Sequence, residues 1–269
     1  MSRGRLLLLL GAWLVLFYMD LPLLVVVPTS VSAAPYIQFP PAGLSPRWYG
    51  AFGADPSWTG AMDNSLLIAA GTALVATVVG TLAALGLQRV GRGRGQWLLA
   101  FLLCPLIVPH MNLAIGLYPV MARLQLVGTP LAVVLGHAVV ATPLVVLIVV
   151  ATLQRLDPAL GRAAASLGAN AWQRFRLITL PLILPGVLGG AAFAFAASFD
   201  ELEIALFLSG ATARTLPLQL WQQIQFELTP VVAVASVVTA AIFLGGLALI
   251  QGARWLATRR ITVEGAGGG

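Results

Sequence analysis

Lysine is absent from this chain of 269 residues, and all 15 of its basic residues are arginine. A GxxxxGK[ST] phosphate-binding loop and a Schiff-base lysine both require lysine, so neither occurs here. The single cysteine, Cys104, cannot form an intrachain disulfide, and we expect it to fill space in an apolar helix. Charged residues make up only 9% of the chain, whereas soluble domains carry about 25%. This scarcity of charge predicts an integral membrane protein.

Catalytic signatures are also missing from the sequence. It contains no nucleophile–base pair and no cluster of metal ligands, so we expect a chain without enzymatic activity, metal or cofactor. The two histidines, His110 and His137, lie in apolar runs without a cysteine or acid at ligand spacing. His110 follows Pro109, and a helix broken at that proline would expose the imidazole to a cavity. The net charge of +6 does not indicate nucleic-acid binding, because the arginines are scattered between apolar runs.

Six apolar runs are each long enough to cross a bilayer, which takes about 20 residues. They lie near residues 6–27, 65–87, 97–121, 130–153, 184–208 and 231–256. These runs predict an all-α bundle of six transmembrane helices in one domain over residues 1–260, with Asn64 capping the second helix and a disordered glycine-rich tail at 261–269. A cleaved signal peptide ending near Ala33 is an alternative for the first run, but that run exceeds the usual apolar length of about 7–15 residues.

The arginine positions predict the orientation of the bundle. If the N-terminus is cytoplasmic and each run crosses the membrane, only Arg47, Arg123 and Arg214 of the 15 arginines lie outside. Cytoplasmic segments carry the excess of arginine in membrane proteins. We therefore expect both termini in the cytoplasm.

The connection over residues 157–181 carries strong helix signals on the cytoplasmic side. Asp157-Pro158 is an N-cap followed by proline at the first helical position. Gly168 is expected to end that helix, and Asn170 to cap a second one that ends at Leu180-Pro181. The residues alone allow two interpretations: an elbow whose small-residue face docks on another protein, or amphipathic helices lying on the lipid headgroups.

Seven residues of this connection resemble the EAA loop of the permeases of binding-protein-dependent ABC importers. The family pattern is E-A-A, three residues, G, nine residues, I, one residue, L-P. The corresponding residues here are Arg162, Ala163, Ala164, Gly168, Ile178, Leu180 and Pro181. The resemblance implies the type I importer fold, with this loop as the coupling helix that docks on an ATPase subunit. Arg162 replaces the family's glutamate, which puts any charge pairing by that residue in doubt.

The resemblance also implies what the chain does and with which partners. It implies a permease subunit in the plasma (inner) membrane of a prokaryote, surrounded by lipid, with ATP hydrolysis in separate ABC ATPase subunits. The other implied partners are a second homologous permease, forming a heterodimer, and an extracytoplasmic substrate-binding protein. Two shorter segments, Ser198–Glu201 and Leu216–Leu218, resemble the polyamine permease branch. That finer resemblance implies spermidine or putrescine as the substrate.

Three acids, Asp200, Glu201 and Glu203, interrupt the fifth apolar run. A charge at the centre of a bilayer costs about 2.5–3.5 kcal/mol, so the acids face the bundle interior or the helix breaks there. On a continuous helix, Asp200 and Glu203 share a face and Glu201 points about 100° away. We expect Asp200 and Glu203 to line a path for a cationic substrate. Salt bridges to a partner's arginines, protonated acids in the core and an outer-rim position are the alternatives.

A self-sufficient, proton-coupled secondary transporter is the alternative function, with the three acids as a proton relay. Such a carrier needs no docking elbow, and it often has two related halves with paired broken helices. The sequence shows neither a half-repeat nor a second broken span. These observations favour the importer permease.

Overall fold

The computed structural model describes residues 3–226 and 228–246 of the chain. The helices are α1 Arg3–Ser30, α2 Arg47–Ala54, α3 Pro56–Leu87, α4 Arg92–Leu103, α5 His110–Arg123, α6 Pro130–Leu153, α7 Pro158–Ser166, α8 Ala171–Arg174, α9 Leu180–Phe199, α10 Glu203–Leu208, α11 Leu216–Phe226 and α12 Val231–Gly246. In these residues the only β-structure is an isolated bridge between Ser32 and Leu44. The predicted all-α membrane fold is therefore confirmed.

Four helices are long and apolar enough to cross a membrane: α1, α3, α6 and the continuous helix Ala171–Phe199. A fifth crossing forms if α4 and α5, which meet at an angle of 94°, count as one broken span. The sixth predicted run corresponds to the shorter α12, and its continuation to residue 256 lies outside the described residues, as does the tail at 261–269. The chain is multi-pass, and the count of six spans stays a prediction.

The described chain divides into two compact units. The first unit contains the described residues before residue 60 and after residue 219. The second unit contains residues 60–219. In the first unit, the hydroxyl groups of Ser30 and Tyr49 lie 2.9 Å apart. The indole N–H of Trp48 donates to the carbonyl of Ser32 at 3.0 Å. These bonds fix the segment after α1 against α2.

Helix α3 begins at Pro56, so the prediction that Asn64 caps a helix starting at residue 65 was wrong. The carboxylate of Asp55 accepts the N–H of Ser57 at 2.8 Å, and Pro56 occupies the first helical position. This is the same Asp-Pro signal that starts α7. The side-chain amide of Asn64 instead donates to the carbonyls of Thr212 and Arg214, each at 3.1 Å.

In the second unit, α6 is the most deeply buried helix and packs along α9. The close approach of α6 to α9 and α10 depends on glycines that face branched side chains. A Cβ atom on Gly190 of α9 would lie 3.2 Å from Val145 Cγ1, and one on Gly136 of α6 would lie 2.7 Å from Ile204. Small residues allow transmembrane helices to pack this closely. Gly190 therefore allows α9 to lie close against α6.

The predicted helix over 97–121 is broken. Helix α4 ends at Leu103, a 3-10 turn spans Cys104–Leu106, and α5 starts at His110 after Pro109 in an extended conformation. Proline removes a backbone donor and disfavours helix in the residue before it, which explains the break. The sequence argument against a carrier relied on there being no second broken span, and that part of it was wrong.

The fifth predicted span differs from a single helix over 184–208 at both ends. A π-helical turn at Phe175–Thr179 joins α8 to α9, so Leu180-Pro181 does not end the helix as predicted. The wider turn accommodates the missing N–H of proline. At the other end α9 stops at Phe199, and α10 begins at Glu203. The helix therefore breaks at the acids.

Candidate functional site

The break between α9 and α10 brings the three acids to one cavity of about 540 Å³. The residues that line it are His110, Leu144, Phe193, Ala196, Ala197, Asp200, Glu201, Leu202 and Glu203. Asp200 is exposed, Glu203 is half-buried and Glu201 is buried. The expectation that Asp200 and Glu203 share a helix face was wrong, because the two acids lie on opposite sides of the break. Both line the cavity nonetheless, together with Glu201.

Contacts of the Glu201 carboxylate stabilise the break between α9 and α10. One carboxylate oxygen, Oε1, accepts the backbone N–H groups of Glu203 at 3.0 Å and Ile204 at 3.2 Å. The other oxygen, Oε2, lies 2.7 Å from Nδ1 of His110. A side chain that binds nearby backbone N–H groups competes with the continuing helix, which explains why α9 ends here. Glu201 thus caps α10 and joins it to the start of α5.

The histidines are the part of the site that sequence reasoning missed. His110 is in direct contact with an acid, although no acid lies near it in the sequence. His137, only 1% exposed, lies with its Nδ1 atom 2.8 Å from Oγ of Ser198. Pro109 was the one sequence signal that pointed to a cavity beside His110. Nothing local to His137 indicated a role. In the described chain, no group of three His, Cys, Asp or Glu side chains is arranged to hold a metal.

The connection over residues 157–181 has the local geometry predicted for it. The carboxylate of Asp157 accepts the N–H of Ala159 at 2.8 Å and caps α7. Gly168 has a φ of +84°, a left-handed conformation typical of glycine after a helix. Asn170 and Gln173 exchange side-chain to backbone bonds of 2.9 Å and 2.8 Å, which is a capping box. The predicted helix start, stop and second cap are confirmed.

Most of the seven motif residues lie at the surface of this connection. Arg162, Ala163, Gly168 and Pro181 are exposed, and Ala164, Ile178 and Leu180 are half-buried. Large apolar side chains beside them are also exposed: Leu160, Leu167, Trp172 and Leu177. Leu167, next to Gly168, is 88% exposed. Such an apolar surface suits contact with another protein or with lipid.

Sequence comparison connects this geometry to known proteins. Residues 76–260 match the family described as the binding-protein-dependent transport system inner membrane component. The chain is 35% identical over 213 residues to the putrescine transport system permease protein PotI of Escherichia coli (strain K12), covering 76% of each chain. It is 28% identical over 218 residues to the spermidine/putrescine permease PotC of that strain, covering 79% of this chain and 80% of the relative.

Solved structures agree on the fold. A bacterial ABC transporter involved in the import of the acidic polysaccharide alginate aligns with a TM-score of 0.72 at 15% identity, covering 94% of this chain and 98% of that one. The alginate transporter in complex with its pentasaccharide-bound periplasmic protein aligns with a TM-score of 0.69 at 17% identity, covering 90% and 91%. The family match sets aside the alternative of a secondary carrier. The chain belongs to the inner-membrane permease components of binding-protein-dependent ABC importers, and it is a non-catalytic transport subunit.

Proposed function

We propose that this permease conducts a small organic cation, a polyamine such as putrescine or spermidine, past Asp200, Glu201 and Glu203. The observation that carries the proposal is the meeting of three acids on one cavity of about 540 Å³ at a helix break. No arginine is among the described residues that line it, and His110 is the one basic group there. Acids inside a membrane protein mark ion and substrate pathways.

The chemistry of the cavity wall fits a polyamine. Leu144 and Phe193 supply apolar surface beside the three carboxyl groups. A polyamine alternates cationic amino groups with methylene chains, so it needs both kinds of surface. Similarity to a putrescine permease and to a spermidine/putrescine permease supports the same substrate class.

The proposed transporter contains this chain in a heterodimer with a second homologous permease, two ABC ATPase subunits and an extracytoplasmic binding protein. Both termini lie in the cytoplasm, as the arginine distribution indicates. The segment 157–181 docks on the ATPase through Arg162, Ala163, Ala164, Gly168, Ile178, Leu180 and Pro181. Because this segment runs directly from α6 into α9, a push on α7 moves the two helices that carry Ser198 and His137. Lipid covers exposed apolar residues of α1 such as Leu14 and Phe17.

Uptake measurements test the substrate charge. Asp200→Asn is expected to lower the uptake of radiolabelled putrescine about tenfold, because it removes an exposed charge from the cavity without burying a polar group. Asp63→Asn is the matched control, since Asp63 is also exposed but lies outside the cavity. An equal loss of a neutral solute, or an equal effect of the two variants, would remove the charge argument.

A further inference from the structure

A small recess adjoins the acidic cavity and shares part of its wall. Its volume is about 120 Å³. The recess is lined by Leu106, His110, His137, Val140, Ala141, Leu144, Ala197, Ser198 and Glu201. His110, Leu144, Ala197 and Glu201 line both spaces. The recess is therefore a side pocket of the cavity, with polar groups set in an otherwise apolar wall.

His137 lines this recess and carries a buried nitrogen without a hydrogen-bond partner in the described part of the chain. The residue is 1% exposed, and its Nδ1 atom pairs with Ser198 at 2.8 Å. Within the described part of the chain, Nε2 of His137 has no hydrogen-bond partner. Nearly all buried polar side-chain atoms in proteins have a partner, so the unpaired nitrogen calls for a bound molecule. If Nδ1–H donates to Ser198, Nε2 is left as an acceptor.

We infer that the recess is an ammonium subsite that receives one amino end of the substrate cation. This inference rests on the proposed polyamine function and names the residues that would recognise the amine. Nε2 of His137 accepts one N–H of the ammonium group, and the Glu201 carboxylate accepts another. Glu201 already accepts from two backbone N–H groups and lies against His110, and a carboxylate has about four lone-pair sites. One site is left for the ligand.

Size and polarity both suit an aminoalkyl end. At about 30 Å³ for each water molecule in the liquid, a recess of about 120 Å³ has room for about four small heavy atoms. An aminoethyl end contains three heavy atoms. Its methylene groups would contact Val140, Ala141 and Leu144, while its N–H groups reach the acceptors. A trimethylammonium end has no N–H, so it cannot donate to these acceptors.

Two substitutions of His137 separate ligand binding from structural support. The amide of His137→Asn lies near the original Nδ1 and keeps the partner of Ser198, but it removes the group at Nε2. The amide of His137→Gln reaches the position of Nε2 and keeps an acceptor there. We expect the dissociation constant for putrescine to rise about tenfold in His137→Asn and to stay within about twofold of wild type in His137→Gln.

The experiment measures equilibrium binding of radiolabelled putrescine to the intact transporter. The transporter is co-purified with this chain and placed in nanodiscs without its binding protein. If His137 acts only by holding Ser198, the order reverses and the Gln variant is the weaker binder. If water alone fills the recess, both variants bind like wild type. Either result overturns the subsite.

A ligand series on the wild-type transporter keeps the test independent of how well the variants fold. Putrescine with both amino groups trimethylated is expected to compete at least about tenfold more weakly than putrescine. Equal competition would overturn the subsite. The proposed function fails separately: if the wild-type transporter neither binds nor imports putrescine, the substrate class is wrong, whereas import with an unaffected His137→Asn variant rejects only the recess.

Discussion

Nδ1 of His110 and Oε2 of Glu201 lie 2.7 Å apart and join two helix breaks. His110 is the first residue of α5, just after the bend between α4 and α5, and Glu201 lies between α9 and α10. Irregular backbone is tolerated inside a membrane only where it is buried in protein or lines a cavity. Both residues line the acidic cavity, so this contact keeps the two breaks beside the space that the substrate is proposed to occupy.

Replacing Glu201 tests whether its carboxylate holds that arrangement. Glu201→Ala removes the acceptor for the N–H groups of Glu203 and Ile204, and loss of a helix cap costs about 0.5–2 kcal/mol. Glu201→Gln keeps one carbonyl oxygen for the cap. We expect the Ala variant to unfold about 2–4 °C below the Gln variant in thermal denaturation of the purified protein. Equal melting temperatures would show that the cap contributes no stability.

The difference between what could and could not be predicted has a physical cause. Asp157, Gly168 and Asn170 act on backbone groups within a few residues, so their pattern in the sequence determines the helix ends. The contact between His110 and Glu201, and that between His137 and Ser198, join segments far apart in the chain. Such pairs depend on how the helices pack, and a single sequence carries no signal for them.

The fifth span illustrates the same limit. Charge and span length indicated that the helix either breaks at the acids or turns them inward, but they did not decide between the two. In the structure the helix breaks, and the Glu201 carboxylate accepts the backbone N–H groups of Glu203 and Ile204 at the break. Asn64 was wrong for the opposite reason. Its side chain is well suited to a local role as a helix cap, but its amide donates to a carbonyl far along the chain, that of Thr212.

Replacement by alanine is expected to have opposite effects on stability at two glycines of α3. A Cβ atom on Gly80 would lie 2.8 Å from Cβ of Val145 and 3.2 Å from the carbonyl of Thr142, whereas one on Gly86 would meet nothing within 4 Å. Overpacking of this kind costs about 1–3 kcal/mol, and alanine otherwise favours a helix over glycine by up to about 1 kcal/mol. Thermal denaturation should show Gly80→Ala destabilised and Gly86→Ala at or above wild type. Similar values for both would contradict the close packing of α3 on α6.

Asn64 provides a test of the long-range bonds from α3. Asn64→Asp replaces the donating amide by a carboxylate, which then faces the carbonyl oxygens of Thr212 and Arg214. Losing hydrogen bonds and leaving partners unpaired costs about 1–3 kcal/mol. The neighbouring Asp63→Asn makes the opposite exchange at an exposed position and is expected to be neutral. A melting temperature for Asn64→Asp equal to that of Asp63→Asn would show that the bonds to 212 and 214 do not stabilise the fold.

Gly168→Leu tests docking of the connection over residues 157–181, and Gly128→Leu is its matched control. Both glycines have positive φ, +84° and +88°, and a Cβ on either meets nothing within 4 Å, so the backbone penalty is about 1–2 kcal/mol in each. Only Gly168 lies on the predicted cytoplasmic side. With equal amounts of each variant in the membrane, Gly168→Leu should lose putrescine uptake and co-purifying ATPase subunit, and Gly128→Leu should keep the ATPase. Normal transport by Gly168→Leu would reject the docking surface, because a leucine there would block the approach of any partner to this backbone.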